Sequence, residues 1–451
     1  MICCQLPVAI LRSAAVIIPA RLSTVTTGTL IMFRLIILLI VLGLQFLVYS
    51  RARRWARTRF PGSARAQTVL TALFGLLGLV LVLALFLGSV ASLLPRWIPA
   101  LLARPFYIWE GATIALGLAI LAGIIIAFPF RLAGALLSRL PPTAPGFRRM
   151  TGLPAVIRFD ASRREFLVRG MEGLTAVSFG AATYGVFAGR SGYEFTETSI
   201  PVRDLPVPLD GFTIGLVSDV HSSSFMTKKQ MDEYCRALMS LGTDLIAVPG
   251  DFVNSQTEEV YPFAESFSAL RAPCGVYGVM GNHDFFAPDP DRVAREVDGC
   301  GVRLLRNDSV IIAKNGARFA LMGIDDVGRS DRATSHMRSA ARGVPGGLPR
   351  VLLCHRPYFL EEAASMGMDL VLSGHTHGGQ IVLGHLGPFV LTPAAIASPY
   401  IWGNYSRGHT QMYVSRGIGT VGLPMRLNCP PELTRITLRR AADPAPSEFP
   451  S

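Results

Sequence analysis

The sequence predicts an α-helical membrane region followed by an α/β sandwich, and three observations carry that reading. Of 451 residues, positions 1–190 hold 20 Arg, no Lys and four acidic residues, whereas positions 191–451 hold 23 basic and 27 acidic residues and all eight histidines. Three long stretches of the first half are almost free of charge. In the second half, short apolar runs that end in Asp, His and Gly alternate with helical patterns. A mean hydropathy of +0.40 with 16% charged residues excludes a disordered chain. The +12 formal charge belongs wholly to the apolar half, so it reads as membrane topology rather than as a nucleic-acid footprint.

The first half is taken as residues 32–190, preceded by an extension at 1–31 whose clean hydrophobic segment opens only at Met32. Apolar stretches at about 29–50, 68–94 and 106–128 are each long enough to cross a bilayer, which takes roughly 20 residues. A fourth, at 173–189, is uncharged but short and rich in Gly, Ala, Ser and Thr. Six Arg fill the loop after the first stretch, only Arg96 and Arg104 lie in the next, and eight lie between Arg131 and Arg169. Basic short loops stay cytoplasmic. With a crossing at 173–189, everything beyond Arg190 is expected outside the cytoplasm, in a multi-pass protein of the bacterial inner membrane. The segment Ser162-Arg163-Arg164-Glu165-Phe166-Leu167 resembles a twin-arginine export signal ahead of that weak stretch. A Pro-rich loop is marked at 141–146. Seven cysteines form no C-x-x-C pair, which argues against a zinc ribbon or a thioredoxin site.

In the second half, residues 198–440 form the predicted domain, with 441–451 as a disordered tail. Strands are expected at 212–218, 245–249, 275–280, 318–324, 351–354 and 369–373, and helices at 228–241 and 290–298. Strands alternating with helices imply layers of helix and sheet, with ligand-type residues clustered beyond the strand ends. Those residues are Asp219, His221, Asp251, Asn282, His355, His375 and His377, a nitrogen and oxygen donor set sufficient for two divalent ions. Asp251 can bridge the ions because a carboxylate has two oxygens. Glycines 250, 281 and 374 let the backbone approach closely. Cys354 faces away from His355 into the core. The Arg-rich run at 329–342 reads as an exposed loop, His336 and His385 as solvated loop residues, and the polar aromatic loop at 400–410, with Tyr405 and His409, as a wall of the substrate cleft.

The ordered set Asp219-Val220-His221, Gly250-Asp251, Gly281-Asn282-His283-Asp284, His355 and Gly374-His375-Thr376-His377 resembles the calcineurin-like metallophosphoesterase superfamily over about residues 201–438. The later Ser415-Arg416-Gly417-Ile418-Gly419 and Cys429-Pro430-Pro431-Glu432 resemble its membrane-anchored bacterial branch, which includes phosphodiesterases and relatives of UDP-2,3-diacylglucosamine hydrolase. The resemblance implies an αββα sandwich. It implies that Asp219, His221 and His377 bind one metal, that Asn282, His355 and His375 bind the other, and that Asp251 bridges them. It also implies that His283 is the acid for the leaving oxygen and that Asp284 orients its imidazole. Two cations activate water and neutralise the attacked phosphoryl group. Their identity, Mn, Fe, Zn or Ni, is left open.

The expected function is hydrolysis of a phosphodiester or phosphomonoester at the membrane, lipid-linked because the enzyme is tethered there. UDP-2,3-diacylglucosamine pyrophosphate hydrolysis in lipid A biosynthesis is the alternative, and a metal-binding membrane sensor without catalysis is a rival of another class. A nuclease is disfavoured by the net −4 of the second half, so no nucleic-acid partner is expected. No protein partner follows from the sequence.

Overall fold

The computed structural model describes residues 27–86, 97–137, 154–386 and 389–441. Most of the expected extension, the loop at 141–146 and the tail beyond Ala441 lie outside them. Four long helices come first: α1 (Thr27–Arg59), α2 (Ala64–Phe86), α3 (Trp97–Leu137) and α4 (Pro154–Phe187). Among the described residues, three stretches are long and apolar enough to cross a membrane, at Arg34–Arg59, Ala64–Phe86 and Leu102–Ala133. They answer the three expected spans. The weaker segment at 173–189 is not a helix of its own. It is the carboxyl half of α4, whose 34 residues extend for about 50 Å and also contain the twin-arginine segment.

The described residues among 1–94 and 117–127 form one compact unit. Within it α1 and α2 are joined by a turn in which Gly62 has φ +79° and the Ser63 hydroxyl accepts from Ala66 N, capping α2. A Cβ on Gly117 would stand 2.8 Å from the Leu44 Cβ, so glycine is needed where α3 meets α1.

The second unit contains the described residues among 95–116 and from Phe128 on. Its strands are β1 (Glu194–Val202), β2 (Thr213–Leu216), β3 (Leu245–Val248), β4 (Val276–Gly278), β5 (Arg303–Leu304), β6 (Asp308–Lys314), β7 (Ala317–Ile324), β8 (Arg350–Cys354), β9 (Leu370–Ser373), β10 (Gly384–Leu386), β11 (Phe389–Leu391), β12 (Gly403–Arg407), β13 (Thr410–Val414) and β14 (Glu432–Arg440). One six-stranded sheet runs β1-β14-β2-β3-β4-β5, the other β12-β13-β9-β8-β7-β6, and β10–β11 form a separate antiparallel ribbon. The sheets face each other across a core in which Leu216 and Ala247 meet Leu353 and Leu372, with the rings of Phe212 and Phe319 edge-on at 5.1 Å.

Helices cover the outer faces. On the first sheet lie α5 (Lys228–Ser240), α6 (Val260–Phe267) and α8 (Pro290–Gly299), through Leu238, Phe263 and Val293. On the second lie α9 (Ser330–Ala340) and α10 (Leu360–Ser365), through Met337 and Leu360. The short α7 (Asn282–Phe286) carries site residues instead. This is the expected αββα layering. Local chemistry agrees with it: Thr227 and Gln230 form a capping box at the start of α5, and Asp289 caps α8 with Pro290 at its first position.

The run at 329–342 is corrected from loop to helix, because Ala333, Met337 and Ala340 line one buried face of α9 and His336 rides on the same helix. Cys354 is buried in the helix-covered core, and the five described cysteines are all free thiols.

Candidate metal centre

The parallel strands deliver the expected residues at their carboxyl ends, where the backbone leaves the sheet. Asp219 and His221 follow β2, Asp251 follows β3, Asn282 opens α7 after β4, His355 follows β8, and His375 and His377 follow β9. The two sheets end side by side, so all seven meet. Five of them adopt left-handed backbone: Asp219, His221, Asp251, His375 and His377 have φ between +46° and +73°. For non-glycine residues that region costs on the order of 1–2 kcal/mol each, and such strain concentrates at functional sites. The flanking glycines follow from close approach. A Cβ on Gly281 would lie 2.2 Å from Asp251 Oδ1, and one on Gly374 would lie 2.2 Å from Asp219 Oδ2.

Ligand-type atoms converge in two groups. In one, the Nε2 atoms of His221 and His377 are 3.1 Å apart, with Asp251 Oδ2 3.4 Å from the first and Asp219 Oδ1 3.6 Å from the second. In the other, His355 Nε2 lies 3.1 Å from Asp251 Oδ2 and 3.2 Å from His375 Nδ1. Asn282 Oδ1 is buried and has no hydrogen-bond partner. Asp251 belongs to both groups, but through a single oxygen. Its Oδ1 accepts from His283 N at 2.8 Å, which corrects the expectation of one oxygen for each ion.

These residues fit a pair of cations. Donors about 2.1 Å from a common ion stand roughly 3 Å apart, as these do. His355 donates Nδ1–H to the Pro249 carbonyl, leaving Nε2 to face the site.

The electrostatics agree. Burial, then His355, drives the His375 imidazole down to about 2, and burial, then His221, drives His377 down. Both are therefore neutral, with lone pairs free. Burial also pulls His355 down, yet the Asp251 and Asp219 carboxylates push it up to about 10, while Asp251 is held well below the usual carboxylate range. Dry carboxylates that hold a proton this tightly on a neighbouring imidazole are calling for positive charge.

His283 stands beside both groups, and its ring offers a donor atom within 4.8 Å of those of His221 and Asp251. Its ring lies 4.6 Å from that of His221, its Nδ1 bonds to the Asn254 carbonyl, and it is half-buried. Asp284 does not orient it. The Asp284 carboxylate accepts four main-chain N–H groups, from Asp251, Phe252, Val253 and Gly281, so it holds the loop that carries Asp251. The orienting group is instead the Asn254 carbonyl, which no side-chain pattern announces.

Two further supports were not legible. Arg426 is fully buried, and its guanidinium donates to the carbonyls of Arg416, Gly417, Gly419 and Cys429. The loop it grips donates Gly419 N to the Asp219 carbonyl at 2.7 Å. Glu432 accepts from both Arg416 N and its guanidinium, so the two late motifs noted in the sequence meet here.

The loop at 400–410 is partly corrected. Its start is at the site, with Thr376 Oγ1 donating to the Ile401 carbonyl and Tyr405 OH accepting from Ile401 N. His409 instead lies with Asp369 and Thr410 at the amino-terminal ends of β9 and β13, away from the ligand-type residues.

Residues 212–379 match the model of the calcineurin-like phosphoesterase family. The chain is 30% identical over 271 residues to the transmembrane protein with metallophosphoesterase domain of Danio rerio, covering 58% of this chain and 60% of that one. It is 32% identical over 292 residues to the uncharacterized metallophosphoesterase YkuE of Bacillus subtilis (strain 168), covering 62% of this chain and 98% of that one. It is 28% identical over 232 residues to the phosphodiesterase YaeI of Escherichia coli (strain K12), covering 50% and 82%. The chain thus spans 60% of the length of the Danio rerio relative.

Proposed function

The chain belongs to the calcineurin-like metallophosphoesterase family, and from that premise we propose that it is a membrane-tethered, dinuclear-metal hydrolase of phosphodiesters. The observation that carries this reading is the shared Asp251 oxygen between two groups of imidazoles and carboxylates. Asp219, His221 and His377 with Asp251 would hold one ion. Asp251, Asn282, His355 and His375 would hold the other. The donor set suits Mn, Fe, Zn or Ni. When bound, the ions would neutralise the phosphoryl group and activate water.

The chain's own residues have separate tasks. Asp284 holds the Asp251 loop, Arg426 holds the loop against Asp219, and His283 would keep a proton at Nε2 for the leaving oxygen while Asn254 fixes its ring. A metal-binding sensor has no use for such a non-ligand histidine. The full-length protein in detergent should hydrolyse bis-p-nitrophenyl phosphate, lose this on chelation and regain it with Mn²⁺. Activity that persists in a fully demetallated sample overturns the mechanism.

The tether points to a lipid-linked substrate, and which leaflet supplies it depends on topology. Met425 packs on Gly111 and Ala112 of α3 and on Ala182 and Val186 of α4, and Arg426 N donates to the Gly185 carbonyl. The sandwich therefore sits at the amino-terminal part of α3 and the carboxyl end of α4. That part of α3 follows the loop poor in Arg, whereas the eight Arg between Arg131 and Arg169 lie at or beyond its other end. This supports a domain on the outer, periplasmic side of the bacterial inner membrane. It disfavours UDP-2,3-diacylglucosamine, a cytoplasmic-leaflet substrate. Alkaline phosphatase fused after Ser191 is expected to be active. An inactive fusion, with a cytoplasmic reporter active at the same position, reverses the topology and promotes the diacylglucosamine reading.

A further inference from the structure

The ribbon of β10 and β11 leaves the metal centre and carries large aliphatic side chains that no described residue covers. Leu383 is 67% exposed, Leu386 63%, Leu391 41%, and Ile396 in the turn beyond is 94% exposed. Four such side chains stand exposed within 14 residues, and a concentration of exposed apolar side chains marks a docking site. Its two roots say what it docks on.

At one root, Ile381 packs against Ala112, Ala182, Val186 and Met425, and Val382 N donates to the Leu427 carbonyl. Ala112 belongs to Leu102–Ala133, one of the three stretches apolar enough to cross a membrane. At the same level of the helices, Phe187 and Tyr184 are exposed, and the Arg104 guanidinium lies 5.5 Å from the Phe187 ring centroid. Exposed aromatics with a basic side chain at a helix end mark the boundary between lipid and water.

At the other root, Thr392 is buried and donates to the Gly379 carbonyl at 2.9 Å, two residues after His377. A Cβ on Gly379 would lie 2.2 Å from Thr392 Oγ1, so the ribbon's end is clamped to the turn that carries this histidine.

We propose that the ribbon and the turn after it dip their apolar side chains into the outer face of the bilayer and seat the metal centre on lipid head groups. The inference rests on the phosphodiesterase reading and its outward topology. It adds that the substrate is taken from the bilayer in place, its phosphodiester at head-group depth. The occupant is the lipid surface because the ribbon is rooted through Ile381 on helices that carry the aromatic and basic side chains of that boundary, and exposed apolar side chains beside it bind between head groups and acyl chains.

The test uses the full chain in vesicles of phosphatidylethanolamine and phosphatidylglycerol that carry a spin-labelled quenching lipid. A fluorophore is placed through Leu386→Cys, Ile396→Cys or, at the opposite end of the domain, His409→Cys, in a chain whose Cys3, Cys4, Cys274 and Cys300 are serine. Labels at 386 and 396 should be quenched severalfold more than the label at 409. Equal quenching overturns the proposal. So does shielding that grows with protein concentration in lipid-free detergent, which would assign the patch to a second copy.

In parallel, Leu386→Ser with Ile396→Ser should slow hydrolysis of a vesicle-embedded phosphodiester about tenfold or more through KM, as lost apolar burial predicts. Hydrolysis of soluble bis-p-nitrophenyl phosphate should be unchanged. Equal loss on both substrates overturns the docking role. A wild-type chain inactive on every phosphoester would sink the phosphodiesterase reading, and the quenching result would still decide whether the ribbon enters lipid.

Discussion

Asp251→Ala is expected to abolish hydrolysis and to leave neither metal position filled. Asp251 Oδ2 is the one oxygen within 3.4 Å of His221 Nε2 and 3.1 Å of His355 Nε2, so its removal takes a ligand from each ion and the link between them. The same change leaves His283 N without its acceptor and His355 buried without its nearest carboxylate. Breaking a buried pair of this kind costs about 3–5 kcal/mol, so the metal-free variant should also melt earlier. Asp251→Asn separates the two effects. It keeps the shape and an oxygen for His283 N but removes the charge, and should stay folded while still losing metal. His377→Ala and His355→Ala should each weaken mainly one position. Metal analysis on purified protein checks all four, and two ions per chain retained in Asp251→Ala would rule out the bridging role.

What made these ligand-type residues legible is that each lies just past a short, continuous apolar run. The strands expected at 245–249 and 351–354 are observed at Leu245–Val248 and Arg350–Cys354, because strands buried on both faces carry no alternation and end abruptly where polarity returns. The edges of the fold were not legible in the same way. β14 reads Glu-Leu-Thr-Arg-Ile-Thr-Leu-Arg-Arg and inserts between β1 and β2, a pairing across more than 200 residues that no local pattern encodes. The helix α9 was obscured because only three small or apolar positions, Ala333, Met337 and Ala340, face the core in a run that is otherwise polar and basic. Inside the site, the sequence names side chains but not the main-chain groups they meet. Asp284 follows His283 directly, which made it the natural partner for the ring. In the structure α7 turns the two residues apart, sending Asp284 beneath the loop that carries Asp251 and the ring toward the Asn254 carbonyl. Arg426 had no signal either, since a lone Arg in a Gly- and Pro-rich loop reads as solvated until the carbonyls of Arg416, Gly417, Gly419 and Cys429 close around it.

His283→Ala should leave the metal content near that of the wild type and lower kcat by ~10²–10⁴-fold on a substrate with a poor leaving group. The reason is geometric. His283 contributes its main-chain N–H to Asp251 Oδ1, which alanine also supplies, so the two groups assigned to the ions keep all of their side chains. What is lost is the imidazole, set 4.6 Å from the His221 ring on the exposed side of the site and steadied through Nδ1 by the Asn254 carbonyl. Burial foremost lowers the pKa of this imidazole, against the pull of the Asp251 carboxylate, which makes its protonated form a stronger acid. An alkoxide leaving group needs that proton, whereas p-nitrophenolate departs largely unaided. The loss should therefore shrink to about tenfold or less on bis-p-nitrophenyl phosphate. His283→Asn, which keeps a polar group but cannot protonate a leaving oxygen, should behave as alanine does. A matching loss on good and poor leaving groups, or a fall in bound metal, would move His283 from acid to ligand and bring the count of metal-binding side chains to eight.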